Sequence, residues 1–284
     1  MFAKPSSLLK LLLLISCFTL NASVLAQSSS SDDSGWQIGV AIGAGTRTNP
    51  VMDNENTPLY LIPQVNYQGE RFFIQNLDIG YTFFQNDTQQ LSLLLTPSYD
   101  QVFFNKSGFN SFIDTAGFAS STKVGPTVEL VSHTIDKRRL HTRHMAALAG
   151  LEYNQSVYGL DLQVQLLKEV TDYYDGSEAR FALSKSINLG KNDVKLTVGA
   201  NWQDASTLNY FYGFDESETL GNLPYSPGSG VTGLLRFDWS YQIDQHWSLR
   251  FFTSYRHLSC AISNSPLVTD DNVVTAFAGG VYHF

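Results

Sequence analysis

The chain has 284 residues, 43% hydrophobic and 13% aromatic but only 15% charged, with 26 acidic against 18 basic residues and a net charge of −8. A mean hydropathy of −0.11 is too polar for a bundle of transmembrane helices. The aromatic content excludes a disordered chain, the acidic balance a nucleic-acid binder, and two cysteines a disulfide scaffold, which leaves a large β-protein in water or in a membrane.

Lys4 and Lys10 flank the start of an apolar run, Leu8 to Leu20, that ends in Val24-Leu25-Ala26 before Gln27. A basic start, a short apolar stretch and small residues at the cleavage point make residues 1–26 a secretory signal peptide. The run is too short, and interrupted by Lys10, for a spanning helix. A second reading takes Leu14-Ile15-Ser16-Cys17 as a loose lipobox, although little apolar stretch then follows Lys10. Cleavage after Ala26 removes 26 of 284 residues, leaves 258, and takes the net charge to −10 because both lysines go. Cys17 goes as well, so Cys260 has no intramolecular partner. Residues 27–35 read as a flexible serine-rich lead-in, and 36–284 as one domain.

From residue 36 the chain alternates with period two, the mark of strands with two unlike faces. The pattern is weak at 36–45, 58–67, 71–83, 90–101, 122–132 and 141–153. It sharpens at 158–171, where Leu160, Leu162, Val164 and Leu166 oppose Asp161, Gln163, Gln165 and Glu169. After a weak 178–189, segment 193–203 sets Val194, Leu196, Val198 and Trp202 against Lys195, Thr197 and Asn201. Segment 232–243 sets Leu235, Phe237, Trp239 and Tyr241 against Arg236, Asp238 and Ser240. Weaker strands at 246–258 and 272–284 complete a set of twelve; a ten-strand alternative drops 36–45 and 122–132.

A water-soluble sandwich also alternates, but its strands run about five or six residues. These are nearer ten, enough to cross a bilayer when tilted. Trp36, Tyr67, Tyr81, Tyr99, Tyr153, Trp202 and Trp247 lie near strand ends, where interfacial girdles belong. The last strand ends in Phe284, with Tyr282, Gly280, Ala278, Ala276 and Val274 on the same face, like the terminal aromatic strand of bacterial outer-membrane proteins. The expectation is therefore an all-β transmembrane antiparallel barrel in a Gram-negative outer membrane. Lys168 and Lys185 on the lipid face are expected to snorkel from strand ends. Pro63, Pro97 and Pro126 are expected at bulges or rims.

Gln68-Gly69-Glu70, Asn154-Gln155-Ser156, Gly190-Lys191-Asn192 and Asp244-Gln245 read as tight periplasmic turns, and 46–57 and 204–230 as long outer loops. The twelve-strand scheme then places 102–121 in the periplasm; the ten-strand scheme puts 102–137 outside.

Chemistry is sparse. The six histidines are scattered, and His141 and His144, three apart on a strand, point to opposite faces and make a poor metal pair. No metal or cofactor is implied. Gly43-Ala44-Gly45 has no helix after it and carries no phosphate-binding meaning. His257 and Ser259 share a strand parity, and Tyr255-Arg256-His257-Leu258-Ser259 is similar to the His-x-Ser element of lipid A deacylases, here followed by Cys260 rather than Asn. With no acidic third member nearby, a lipid A-modifying hydrolase is a distant alternative. The lumen face mixes Asp78, Glu129, Glu152, Asp161, Glu169 and Asp238 with Arg180, Lys195, Arg236 and Arg250, as in a filled barrel or a charged constriction passing small solutes.

Residues 210–230 read Tyr-Phe-Tyr-Gly-Phe-Asp-Glu-Ser-Glu-Thr through Tyr-Ser-Pro-Gly-Ser-Gly, with Tyr212, Gly213, Glu216, Pro227 and Gly228 as marks. Tyr255-Arg256-His257-Leu258, then Ser265 and Pro266 in Ser-Asn-Ser-Pro-Leu-Val, then Tyr282 and Phe284 in Gly-Gly-Val-Tyr-His-Phe follow in order. This series resembles the MipA/OmpV family of outer-membrane proteins over the mature chain, most strongly from about 150 onward and poorly over 102–134. The resemblance implies a non-enzymatic scaffold joining a lytic murein transglycosylase to a bifunctional murein synthase. Its OmpV-like branch implies instead a surface protein linked to osmotic response and adhesion, and a small-solute channel is a further alternative.

A scaffold interface wants about 800 Å² from each partner, more than tight turns offer. Phe103, Phe104, Phe109, Phe112, Ile113 and Phe118 are the candidate surface for a periplasmic partner. Tyr210, Tyr212 and Tyr225 are the candidates on the outer face, unless they pack over the barrel mouth.

Overall fold

The computed structural model describes residues 35–52, 54–100, 143–215, 218 and 224–284. The signal peptide with Cys17, the lead-in up to residue 34, the strand expected at 122–132, Pro126, Glu129, His133, His141, Glu216 and the phenylalanines from Phe103 to Phe118 lie outside the described residues.

Twelve antiparallel strands close into a barrel, each paired with its sequence neighbours: β1 Gly35–Arg47, β2 Thr57–Gln68, β3 Phe72–Gln75, β4 Asp78–Gln85, β5 Gln89–Pro97, β6 Ala147–Val157, β7 Leu160–Glu169, β8 Ser177–Leu189, β9 Asn192–Gln203, β10 Gly230–Gln242, β11 Trp247–His257 and β12 Asn272–His283. β1 closes on β12 from Gly39 opposite His283 to Arg47 opposite Thr275. Among the described residues two short helices, α1 Ala205–Tyr212 and α2 Cys260–Ser263, sit in the outer connections.

The alternation survives as two surfaces. Leu196, Val198, Trp202, Leu235, Leu249 and Tyr255 are exposed on the outside, where lipid replaces water and apolar side chains cost nothing. Rings gather at the rim where β1 begins and β12 ends, with Trp36 5.0 Å from Tyr67, Trp247 5.1 Å from Tyr282, and Tyr282 5.1 Å from Phe284. That is an interfacial belt. Lys168 sits at a strand end, paired at 2.8 Å with Asp175. Tyr99 departs from the girdle expectation. It turns inward under the Arg180 guanidinium, 4.8 Å from its ring centroid.

The count of twelve agrees with the sequence, but its composition does not. The expected strand 71–83 breaks at Asn76 and Leu77, where Asn76 takes φ 58°, and becomes β3 and β4. That extra reversal changes the topology. Pro97 ends β5 opposite Ala147 of β6, at the rim shared with Arg47 opposite Thr57 and Gly230 opposite Gln203. Both described flanks of 101–142 therefore lie at the outer rim, while 102–121, expected in the periplasm by the twelve-strand scheme, lies outside the described residues. Pro97 ends its strand, as expected. Pro63 lies in the part of β2 beyond Asn66, where pairing with β3 stops, so its missing N–H breaks no β2–β3 ladder.

The opposite rim has short turns at 69–71, 86–88, 158–159, 190–191 and 243–246, which marks it as periplasmic. The turn expected at 154–156 falls later, at 158–159. β6 continues to Val157, and Tyr158 and Gly159 take φ 53° and 74°, the left-handed pair that a two-residue hairpin with right-handed twist requires. At Asp244 the carboxylate accepts the His246 and Trp247 N–H groups, each at 2.9 Å. These bonds hold its carboxyl below the usual carboxylate range.

Candidate functional site

The interior of the barrel is the feature from which a function can be argued, and it is built in three parts. The first is a cap over the outer mouth. Asp204 starts α1 by accepting the Thr207 N–H at 2.8 Å, and its second oxygen takes the Ser177 N–H at 2.9 Å, so the helix is tied to β8 as well as capped. Leu208, Phe211 and Tyr212, spaced three and four apart, then fall on one helical face and are fully buried with Val51, Leu258, Ile262 and Val273. Tyr174 stacks on Tyr210 at 4.9 Å and meets Phe211 edge-on at 5.5 Å.

Loops lock the cap from the sides. Ser265 donates its hydroxyl to the Tyr212 carbonyl at 2.7 Å. The Met52 N–H donates to the Leu267 carbonyl and the Thr269 N–H to the Pro50 carbonyl, both at 2.8 Å. Arg143 forms a buried pair with Glu218 at 3.0 Å and donates to the Gly213 carbonyl at 2.8 Å.

The second part is an apolar side of the lumen. Ala41, Leu59, Ile62, Phe252, Phe277 and Val281, from β1, β2, β11 and β12, are all buried inside the barrel. The Phe277 ring lies where β1 and β12 carry no side chain. A Cβ on Gly43 would fall 2.8 Å from the tip of that ring, and one on Gly279 would fall 2.7 Å from it. Gly43-Ala44-Gly45 therefore has a packing role. Sequence reading missed this apolar side because inward and outward positions are both apolar in β12, which blurred its alternation.

The third part is polar. A cavity of about 900 Å³ runs below the cap, from Tyr99 and Gln203 near the outer end to Gln242, Ser248 and His283 at the periplasmic end. Of the charges assigned to the lumen, Asp78, Glu152, Arg180, Lys195, Arg236, Asp238 and Arg250 line this cavity. Asp161 lies at the periplasmic end of β7, accepting the Ser156 hydroxyl at 2.6 Å. Glu169 instead holds the 171–175 loop through the Thr171, Tyr174 and Asp175 N–H groups.

Near the cap, Arg180 grips Glu178 through Nε at 3.2 Å and Nη2 at 3.0 Å. The Tyr99 hydroxyl donates to Asp78 at 3.1 Å, and burial pushes that phenol well above its ordinary range. Gln203 donates to Asp100. Lower down, Glu152 accepts amide N–H groups from Asn154 at 2.8 Å, Gln163 at 3.0 Å and Gln165 at 2.6 Å. Arg236 holds Asp238 through Nε at 2.7 Å and Nη2 at 2.6 Å, and its guanidinium lies 4.6 Å over the Phe252 ring.

The outer-face candidates divide. Tyr212 is fully buried and belongs to the cap; Tyr210 packs against it and accepts the His144 N–H at 2.7 Å. Tyr225 is partly exposed and donates to the Ala261 carbonyl at 2.9 Å. Of the family marks, Ser265 and Tyr212 meet directly, Pro227 is buried, Gly228 and Pro266 are exposed, and Tyr282 and Phe284 stand in the periplasmic belt. The His257–Ser259 pair is not assembled. β11 ends at His257, and Ser259 turns under the cap beside Gly230 with its hydroxyl buried and without a hydrogen-bond partner among the described residues. Among the described residues no three His, Cys, Asp or Glu side chains gather as a metal site.

The chain is similar to several known proteins. A family model described as MltA-interacting protein MipA matches residues 38–284. The MltA-interacting protein of Escherichia coli K12 is 23% identical over 92% of this chain and 96% of its own length. The outer membrane protein Omp26La of Vibrio anguillarum is 25% identical over 86% of this chain and 85% of its own. Among solved structures, a loop-deletion mutant of OmpT, an outer membrane protein of Vibrio cholerae, covers 89% of this chain and 100% of its own at 9% identity and a TM-score of 0.34.

Proposed function

The chain belongs to the MltA-interacting protein MipA family, and from that premise we propose that this outer-membrane barrel is a non-enzymatic anchor for a lytic murein transglycosylase on the periplasmic side. A bifunctional murein synthase is the second enzyme such an anchor would join. The observation that carries the reading is the asymmetry of the lumen. Its outer mouth is filled by buried Leu208, Phe211 and Tyr212, whereas its polar cavity reaches the periplasmic rim at Gln242, Ser248 and His283. A barrel packed shut on the outside and open inward suits a periplasmic partner better than a solute in transit.

The five periplasmic turns are too short to bury about 800 Å² by themselves. The partner therefore has to engage the rim of the lumen together with the turns around it. Any adhesive role would belong to the outer rim, where Asp100 and Arg143 flank 101–142 and where Tyr210 and Tyr225 lie.

The test is a pull-down of purified lytic murein transglycosylase on the folded barrel in detergent, with planar-bilayer recordings of the same preparation. Retention of the enzyme and a silent bilayer are expected. A folded barrel that retains no enzyme yet gives stepwise conductance would overturn the anchor in favour of a solute channel.

A further inference from the structure

Within the polar part of the lumen, the β9–β11 wall holds cations whose donors are not all committed. Arg236 uses Nε and Nη2 on Asp238. Arg250, one strand further on, reaches the same carboxylate at 3.6 Å, too long for a good hydrogen bond. A guanidinium has five N–H donors and a strong preference for planar oxyanions. Lys195 is the register partner of Asp238 on β9 and lines the cavity without an ion pair among the described residues. Asp238 thus stands between two strands that each present a cation, with a third cation on its own strand.

The cavity as a whole is lined by Asp78, Asp100, Glu152, Glu178, Asp193 and Asp238 against Arg180, Lys195, Arg236, Arg250 and Arg256, so the positive excess is local to Lys195, Arg236 and Arg250. Asp193, at the periplasmic edge, already accepts the Asn188 amide at 2.6 Å, and counting it as well as Asp238 leaves one positive charge over. Glu152, on the far wall, is occupied by three amide donors. The arginines are also positioned. Their guanidinium carbons lie 4.6 and 5.8 Å over the Phe252 ring, which is buried against Phe277. Stacking on this ring sets both cations at the border between the apolar side and the wet cavity. The Arg250 and Asp238 side chains keep 29% and 19% of their surface exposed, so cavity water reaches them.

We propose that Lys195, Arg236 and Arg250 form an oxyanion-binding site on the β9–β11 wall, with Asp238 as its internal counter-ion, for a small soluble carboxylate or phosphate entering from the periplasm. The site goes beyond anchoring and does not depend on it, since its titration contains no hydrolase. Asp238 competes with the ligand for the same guanidinium groups. Its removal and the removal of a cation must therefore act in opposite directions, which a purely structural ion pair would not produce.

The experiment titrates the folded, detergent-solubilised barrel with inorganic phosphate and, separately, with succinate at fixed ionic strength, by calorimetry. Heat-modifiable gel migration confirms folding of each variant. Saturable binding of at least one probe is expected, and the stronger of the two tells phosphate-bearing from carboxylate-bearing ligands. Arg250→Gln and Lys195→Gln are each expected to weaken it about tenfold, the scale of one charge-assisted contact. Asp238→Asn is expected to tighten it by about the same factor. If Arg250→Gln fails to fold, Lys195→Gln decides, because that side chain makes no ion pair among the described residues. Absence of saturable binding by the folded wild type, or equal affinity in wild type, Lys195→Gln and Asp238→Asn, would overturn the site.

Discussion

Phe277 on β12 and Asp238 on β10 both point into the lumen, yet their surroundings differ in kind. Phe277 is 1% exposed, stacked 5.7 Å from Phe252 and packed over two glycines, as in the interior of a soluble domain. Asp238 sits in a wet cavity and is held by a forked guanidinium. A barrel wall alone therefore does not decide what fills it. Where two neighbouring strands offer apolar residues inward, dispersion and exclusion of water fill the space. Where they offer charges, hydrogen bonds and water keep it open. The cap continues the first solution across the outer mouth, and the periplasmic end keeps the second.

That contrast ranks what single substitutions should do. Phe211→Ala removes a fully buried ring from the cap and is expected to cost about 4 kcal/mol, read as a shift in urea unfolding of the barrel in lipid vesicles. It is also expected to give conductance steps that the wild type lacks; a variant that stays silent and equally stable would show that the cap is not the closure. Gly43→Ala places a Cβ 2.2 Å from the Ala278 carbonyl and 2.8 Å from the Phe277 ring. A loss of about 3 kcal/mol is expected, and unchanged stability would mean that the apolar side yields as easily as the wet one.

Ser265→Ala deletes the buried hydroxyl donor to the Tyr212 carbonyl and is expected to cost about 1–2 kcal/mol. The same measurement should place it well below Phe211→Ala. Lys168→Gln breaks an exposed pair at the outer rim and is expected to change stability by less than about 0.5 kcal/mol. A larger loss would show that rim electrostatics matter as much as packing.

Much of the barrel was legible in the chain. Strand β9 alternates because each inward Thr197 or Asn201 faces water while each outward Val198 or Trp202 faces lipid, and no tertiary contact is needed to see it. β12 was harder to read, since Val273 and Phe277 inside are as apolar as Val274 and Ala276 outside. The wall charges were legible one at a time from parity, as with Arg236 and Asp238. Their pairing was not, because Arg250 reaches Asp238 from a different strand. His257 and Ser259 gave a misleading parity: the strand ends at His257, and α2 turns Ser259 under the cap.

By itself the sequence determined the class of solvent on each face, the approximate number of strands and the rim at which the last strand ends, because those follow from period-two chemistry and turn length. Tertiary structure decided three further matters. The break at Asn76 turned one expected strand into two and moved the end of β5 to the outer rim. The packing of α1 across the mouth made Tyr212 core rather than contact surface. The register of β9, β10 and β11 set three cations around one carboxylate. Each depends on residues far apart in the chain becoming neighbours, and no local pattern carries that information.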